Sequence, residues 1–136
     1  MERKLLTDIS GYSRGLIIVF LGWGTAVDPF SSIVKRGYDI LLLARYDAFS
    51  AEQTEAYVQT LMAERGYEEI CVVAWSLGVK VASQFLRDTK LPVTLRLAVN
   101  GSEYHVDDNR GIPSAIFRGT LDGLSVASLR KFLLRT

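Results

Sequence analysis

Short runs of purely apolar residues alternate along this sequence with longer amphipathic stretches, and this alternation constrains the fold more than any other feature. Residues 16–21, 40–44 and 70–75 are three such runs, with no polar residue inside them. Strands that are apolar on both faces are typical of parallel sheets covered on both sides. Residues 93–99 predict a fourth strand, which contains Thr and Arg and is therefore expected nearer an edge.

The amphipathic stretches carry the start and stop signals of helices. Ser50 and Gln53 fit a capping box before apolar residues at helical spacing, and Gly66 is a typical stop. A second helix is predicted over residues 77–88 and a third from about residue 125.

Strands that alternate with helices predict an α/β fold, because crossover connections make the sheet parallel and place helices on both of its faces. We expect the strands in the spatial order second, first, third, fourth. The length of 136 residues suits one domain, and the polar segment 101–113 is predicted to be a loop.

Composition excludes several classes of protein. Sixteen Lys and Arg against fifteen Asp and Glu give no basic excess, so no nucleic acid is expected as a partner. The longest apolar run has six residues and no signal peptide is visible, so we expect no membrane partner and a cytoplasmic location. The single cysteine, Cys71, predicts a small core residue, and Asp28, Asp39 and Asp47 are too scattered for a metal site. No metal or other cofactor is expected.

Ser76 follows the third predicted strand, within the sequence Ala74-Trp75-Ser76-Leu77-Gly78. A serine with small residues two positions before and after it, between a strand and a helix, is typical of a nucleophile elbow. Such a turn exposes the hydroxyl at the carboxyl end of the sheet, beside a helix N-terminus that favours negative charge. The pentapeptide alone also fits a serine that only caps the helix.

A second element, Gly22-Trp23-Gly24, follows the first predicted strand. At that position the backbone N–H groups of Trp23 and Leu77 would both reach one developing oxyanion. A plain turn or a phosphate-binding loop is the alternative, although neither G-x-G-x-x-G nor G-x-x-x-x-G-K spacing is present. The two elements together favour a serine hydrolase.

Several segments resemble the BioG-type pimeloyl-[acyl-carrier-protein] methyl ester esterases of the α/β-hydrolase superfamily. They are residues 21–25, 73–79, 98–102 and 111–121, with Asp107-Asp108. The resemblance extends over about residues 15–135. It implies a carboxylesterase that cleaves the methyl ester of pimeloyl carrier protein in biotin synthesis, with an acyl carrier protein as partner. It also implies that Ser76 is the nucleophile and that the amides of Trp23 and Leu77 form the oxyanion hole.

Members of this family continue beyond the point that matches Thr136, and their triad acid and histidine lie in that later part. The resemblance therefore implies that residues 1–136 are one partial hydrolase domain, truncated before the lid and the last strands, with about 122–136 as the start of the lid. We expect the chain alone to be nearly inactive, and an inactive remnant or a carrier-protein-binding module is the alternative function. An open sheet edge and uncovered Leu129, Phe132 and Leu133 predict self-association or a missing C-terminal half.

Four residues are candidates for a substitute base or acid. His105, the only histidine, has Asp107 and Asp108 beside it, and Asp122 resembles the acid of a turn after a late strand. A solvated loop histidine, and for Asp122 the entrance to the lid, are the alternatives. Basic residues near the C-terminus fit either an acidic carrier protein or a solvated helix face. These are Arg118, Arg130, Lys131 and Arg135.

Overall fold

The computed structural model describes residues 1–33 and 35–134, without the side chain of Leu133. It divides the chain into two compact units, Met1–Glu103 and Tyr104–Thr136, which are called the first and the second unit below. That residues 1–136 form a single partial domain, with the lid starting near residue 122, stays a prediction.

The first unit contains one sheet and two α-helices. The strands are β1 (Glu2–Leu6), β2 (Gly15–Phe20), β3 (Tyr38–Ala44), β4 (Glu69–Trp75) and β5 (Val93–Val99), and the helices are α1 (Ala51–Arg65) and α2 (Leu77–Asp88). Short 3-10 helices lie at Asp28–Phe30 and Tyr46–Ala48, and the second unit contains α3 (Ser114–Asp122) and α4 (Val126–Leu133). Within the described part of the chain, no helix combines the length and the apolar character needed to cross a membrane.

The sheet has the strand order β1-β3-β2-β4-β5. β3, β2, β4 and β5 pair parallel to one another in this order, which confirms the predicted order of the four apolar strands. β1 was not predicted, and it pairs antiparallel with the outer edge of β3. Its sequence Glu-Arg-Lys-Leu-Leu has charged residues at three of five positions, so it lacks the pattern of a buried strand.

Alternate positions of the parallel strands form the main core on one face of the sheet. α1 contributes Val58 and Leu61 to this core, and α2 contributes Ala82 and Phe85. A smaller apolar cluster on the other face includes Leu42 and Val27, with the 3-10 helix at Asp28–Phe30 packed there. The α/β class is therefore confirmed, with α1 and α2 on one face and this short 3-10 helix on the other.

Strand β5 forms the edge of the sheet opposite to β1. Its apolar side chains Leu95, Leu97 and Val99 are exposed, so none of the described residues of the first unit covers them. The open sheet edge expected from the sequence is therefore present in this unit.

Asp39 is a fully buried carboxylate at the start of β3. Tyr67 donates a hydrogen bond to it at 2.6 Å, the N–H of Asp8 donates at 2.8 Å, and the Ser13 hydroxyl donates as well. The guanidinium of Arg65 lies 3.7 Å from one of its oxygens. Burial raises the pKa of Asp39, but the three donors and Arg65 outweigh burial, so the pKa lies below its usual value of 3.8.

Replacing Asp39 by asparagine is expected to lower the free energy of unfolding by about 2 kcal/mol near neutral pH, because an amide cannot accept from all three donors. The pKa of Asp39 is lower in the folded state than in the unfolded state. Its stabilising contribution is therefore complete above the unfolded value and is lost as the pH falls through the lower folded value. Urea unfolding at about pH 7 and about pH 3 measures the free energy of unfolding of the unmodified chain and of Asp39→Asn. If the difference between these two free energies were as large at acid pH as at neutral pH, the prediction would be contradicted.

Candidate functional site

Ser76 occupies a sharp turn between β4 and α2, in a backbone conformation that is rare for a residue with a side chain. Its φ is 54° and its ψ is −123°, and such strain costs about 1–3 kcal/mol. The N–H of Ser76 donates to the carbonyl of Val99 at 3.0 Å, which ties the turn to the end of β5. The residue is half-buried, and its side chain makes no capping hydrogen bond to α2. The alternative that Ser76 only caps the helix is therefore wrong.

Glycines around Ser76 let backbone segments approach more closely than side chains would permit. A Cβ on Gly78 would lie 2.2 Å from the carbonyl oxygen of Phe20, and one on Gly101 would lie 2.3 Å from that of Ser76. A Cβ on Gly22 would lie 3.3 Å from the Cβ of Ser76. The loop after β2 and the turn after β4 therefore meet at the carboxyl edge of the sheet.

A cleft of about 390 Å³ opens at this edge. Its lining residues come from the loop after β2, from the segment after β3 and from the start of α2, and they are Gly22, Trp23, Gly24, Thr25, Arg45, Tyr46, Asp47 and Leu77. Both residues predicted to supply oxyanion amides, Trp23 and Leu77, thus line the same cleft. Leu77 is the first residue of α2, where backbone N–H groups have no acceptor within the helix.

Sequence reasoning missed the segment after β3, of which Arg45, Tyr46 and Asp47 line the cleft. Arg45 has a φ of 52°, and its Nε lies 3.4 Å from a carboxylate oxygen of Glu2 in β1. A signal for this segment was available in the sequence, because β2 and β3 are parallel neighbours and their carboxyl ends share one edge.

The Tyr46 hydroxyl lies 2.8 Å from the carbonyl oxygens of both Leu21 and Leu43. Burial raises the pKa of Tyr46 well above its usual value. The hydroxyl is therefore protonated at neutral pH and can donate to these carbonyls.

Two other sequence-predicted candidates, His105 and Asp122, lie in the second unit. His105 is half-buried, and its ring meets Phe117 edge to face with the ring centroids 6.0 Å apart. Its role as a substitute base stays a prediction. Asp122 is the last residue of α3. The interpretation of Asp122 as an acid turn after a strand is wrong, because the residues before it form a helix.

Asp107 and Asp108 bind backbone amides of their own surroundings. Asp107 accepts hydrogen bonds from the N–H groups of Asn109 and Arg110 at 3.0 and 2.9 Å, and these bonds lower its pKa. Asp108 accepts from the N–H of Ser114 at 2.7 Å, at the start of α3. Both carboxylates therefore have a structural role in the loop before α3, and a catalytic role for either stays a prediction.

The basic residues predicted near the C-terminus are only partly described. Arg118 lies on α3, Arg130 and Lys131 lie on α4, and all three are exposed. Arg135 and the side chain of Leu133 lie outside the described residues.

Comparison with known proteins gives one family and two curated relatives. The family model described as pimeloyl-ACP methyl esterase BioG matches residues 2–136. A Bacteroides fragilis protein named malonyl-[acyl-carrier protein] O-methyltransferase is 41% identical over 119 residues, which are 88% of this chain and 23% of that protein. An uncharacterised Haemophilus influenzae protein is 35% identical over 118 residues, which are 86% of this chain and 50% of that protein. The chain thus spans half or less of the length of these relatives.

Among solved structures, an alpha/beta hydrolase enzyme from the metagenome of sediments from the lagoon of Mar Chica, Morocco, is similar over 97% of this chain and 59% of its own chain. The TM-score is 0.48 and the sequence identity is 16%.

Proposed function

This chain belongs to the BioG family of pimeloyl-ACP methyl esterases, and from that premise we propose that it supplies the nucleophile and the oxyanion hole of a serine carboxylester hydrolase. The observation that carries the proposal is the strained backbone of Ser76. A positive φ at a serine between a strand and a helix is the conformation that a nucleophile elbow requires. The contact between this turn and the loop after β2 supports the assignment of the oxyanion hole.

In the proposed reaction, the Ser76 oxygen attacks the carbonyl carbon of a methyl ester and its proton passes to a general base. The carbonyl oxygen becomes an oxyanion, which accepts hydrogen bonds from the N–H groups of Trp23 and Leu77. When the intermediate collapses, the bond to the methoxy group breaks and the base returns the proton, so that methanol leaves. Water then attacks the acyl-enzyme by the same route, which releases a carboxylic acid and restores Ser76.

The general base is the part of this mechanism that the first unit does not provide. The only histidine of the sequence is His105, and it lies in the second unit. The chain covers 50% of the Haemophilus relative, so a protein of that length has a further segment that could carry the base. We propose that the histidine and the acid of the triad come from polypeptide outside residues 1–136.

The proposed substrate is the methyl ester of a pimeloyl group on an acyl carrier protein, as the family description states. An O-methyltransferase that acts on a malonyl carrier protein, as the Bacteroides relative is named, forms a carrier-bound methyl ester. An esterase of this family removes such a methyl group, so the name of that relative is compatible with the proposal. The exposed Arg118, Arg130 and Lys131 suit an acidic carrier protein as partner. The same residues favour a carrier-protein-binding module as the second candidate function.

A fluorophosphonate probe tests the proposal, because it reacts covalently with a serine beside an oxyanion hole, although only slowly when no general base is present. Mass spectrometry of the digested chain is expected to find the label at Ser76, at a slow rate, and to find none after Ser76→Ala. Ser83→Ala is the matched control, since Ser83 also lies at α2 but donates to the carbonyl of Val79 at 2.8 Å. A folded chain that takes no label would favour the carrier-protein-binding module instead.

The variant His105→Gln tests the origin of the base in the same assay. We expect its labelling rate to stay within about twofold of that of the unmodified chain. A drop of more than about tenfold, in a protein that remains folded, would make His105 the base and would contradict an outside source.

A further inference from the structure

The loop that carries Trp23 is held by a hydrogen bond from Tyr46, which lies in the segment after β3. The Tyr46 hydroxyl lies 2.8 Å from the carbonyl oxygen of Leu21, directly before that loop, and 2.8 Å from that of Leu43. The carbonyl of Leu43 has a second donor, the N–H of Leu21 at 2.9 Å. Loss of the hydroxyl would therefore affect mainly the carbonyl of Leu21.

The ring of Tyr46 is fixed by other aromatic rings, so its hydroxyl has a defined position. It stacks on Phe20 with centroids 6.4 Å apart and an interplanar angle of 27°. It also meets Phe49 nearly edge to face at 6.2 Å and 84°. Phe20 is fully buried in the core under α1 and α2, which anchors the cluster to the sheet.

The carbonyl of Leu21 and the N–H of Gly22 belong to one planar peptide unit, so a donor that fixes the carbonyl also fixes the direction of the amide. A Cβ on Gly78 would lie 2.7 Å from the Leu21 oxygen, so the first turn of α2 confines the same peptide. The next peptide unit, which contains the N–H of Trp23, is held by Thr25, whose Oγ1 donates to the carbonyl of Gly22 at 2.6 Å.

We propose that Tyr46 is a positioning residue for the oxyanion hole. It holds the Leu21–Gly22 peptide, and this fixes the point from which the next peptide, which contains the N–H of Trp23, extends toward the oxyanion. This inference rests on the proposed function of the cleft. Tyr46 itself touches no reacting atom in this scheme. It acts through the loop, and its removal should slow the reaction of Ser76 while the binding of a reagent stays the same.

The test compares Tyr46→Phe with Tyr67→Phe, two variants that each lose one hydroxyl. Tyr67 is a good match because it is 6% exposed and donates to the buried Asp39 at 2.6 Å, at the amino end of β3. Both variants are expected to unfold at somewhat lower temperature. Amide hydrogen exchange of residues 22–25 is expected to be about tenfold faster in Tyr46→Phe alone.

Fluorophosphonate labelling of Ser76 supplies the second readout. In Tyr46→Phe the maximal labelling rate is expected to fall about tenfold, with the half-saturating probe concentration unchanged, because a displaced amide stabilises less negative charge. Equal exchange and equal labelling in the two variants would overturn the proposal. A wild-type chain that takes no label would overturn the proposed function instead, and hydrogen exchange would then still decide whether Tyr46 orders the loop.

Discussion

Replacing Gly78 by alanine is expected to lower the free energy of unfolding by more than about 4 kcal/mol, enough to leave much of the first unit unfolded. The added Cβ would lie 2.2 Å from the carbonyl oxygen of Phe20 and 2.6 Å from its carbonyl carbon. Both atoms belong to the backbone of β2, which is hydrogen-bonded to strands on both sides, so neither can move away. Relief would require α2 to shift off the sheet, with loss of the packing around Phe85.

Gly119→Ala is the matched control, because Gly119 is also a helical glycine but has no atom within 4 Å of an added Cβ. In α3 the substitution is expected to stabilise the helix by about 0.5–1 kcal/mol. Urea unfolding followed by circular dichroism measures both variants. If Gly78→Ala were as stable as Gly119→Ala, α2 could not lie as close to β2 as described. The contact between Ser76 and the loop after β2 would then also be in question.

The sheet and the turn at Ser76 could be predicted from sequence because each depends on local composition. Inner strands of a parallel sheet need an uninterrupted apolar run, and β2, β3 and β4 have one. β3 is buried on both faces as predicted, whereas alternate residues of β2 and β4 are only half-buried. A tight strand-to-helix turn needs very small residues, and Ala74 and Gly78 flank Ser76. The start of α1 was equally local, since the Ser50 side chain accepts from the N–H of Gln53 at 3.2 Å.

Two of the missed features, β1 and the role of Tyr46, depend on partners distant in sequence, whereas α3 was missed for a local reason. β1 is a strand because the edge of β3 offers hydrogen bonds to it, and its own charged sequence does not indicate one. α3 contains Gly119 and two β-branched residues, so its helical propensity is low and the sequence did not predict it. The role of Tyr46 needs the carbonyls of two different strands to come together, which no local pattern reports.

Catalysis also depends on both local and distant residues. The turn at Ser76 is formed by neighbouring residues, whereas the histidine and the acid of a catalytic triad lie far from the serine in sequence. In a protein that also contains the proposed base, Ser76→Ala is expected to reduce ester hydrolysis about 10⁶-fold. In residues 1–136 alone, the same substitution is expected to change the rate by less than about tenfold, since a serine without a base contributes little and the residual rate comes from binding and the oxyanion hole. The size of the rate loss in Ser76→Ala thus shows whether the general base is present.

A chimera tests whether the other half of the Haemophilus relative carries the base: residues of this chain replace the matched half of that relative, which is 35% identical to them. Initial rates of the chimera and of residues 1–136 are measured with an activated ester and with the methyl ester of a carrier-bound acyl group. Each rate is measured with and without Ser76→Ala, which gives two ratios for each protein. A large effect of Ser76→Ala in residues 1–136 alone would locate the base inside this chain, and His105 would then be the first candidate for it. A small effect in a folded chimera that hydrolyses the ester would remove Ser76 from the mechanism, because another nucleophile would then carry the reaction.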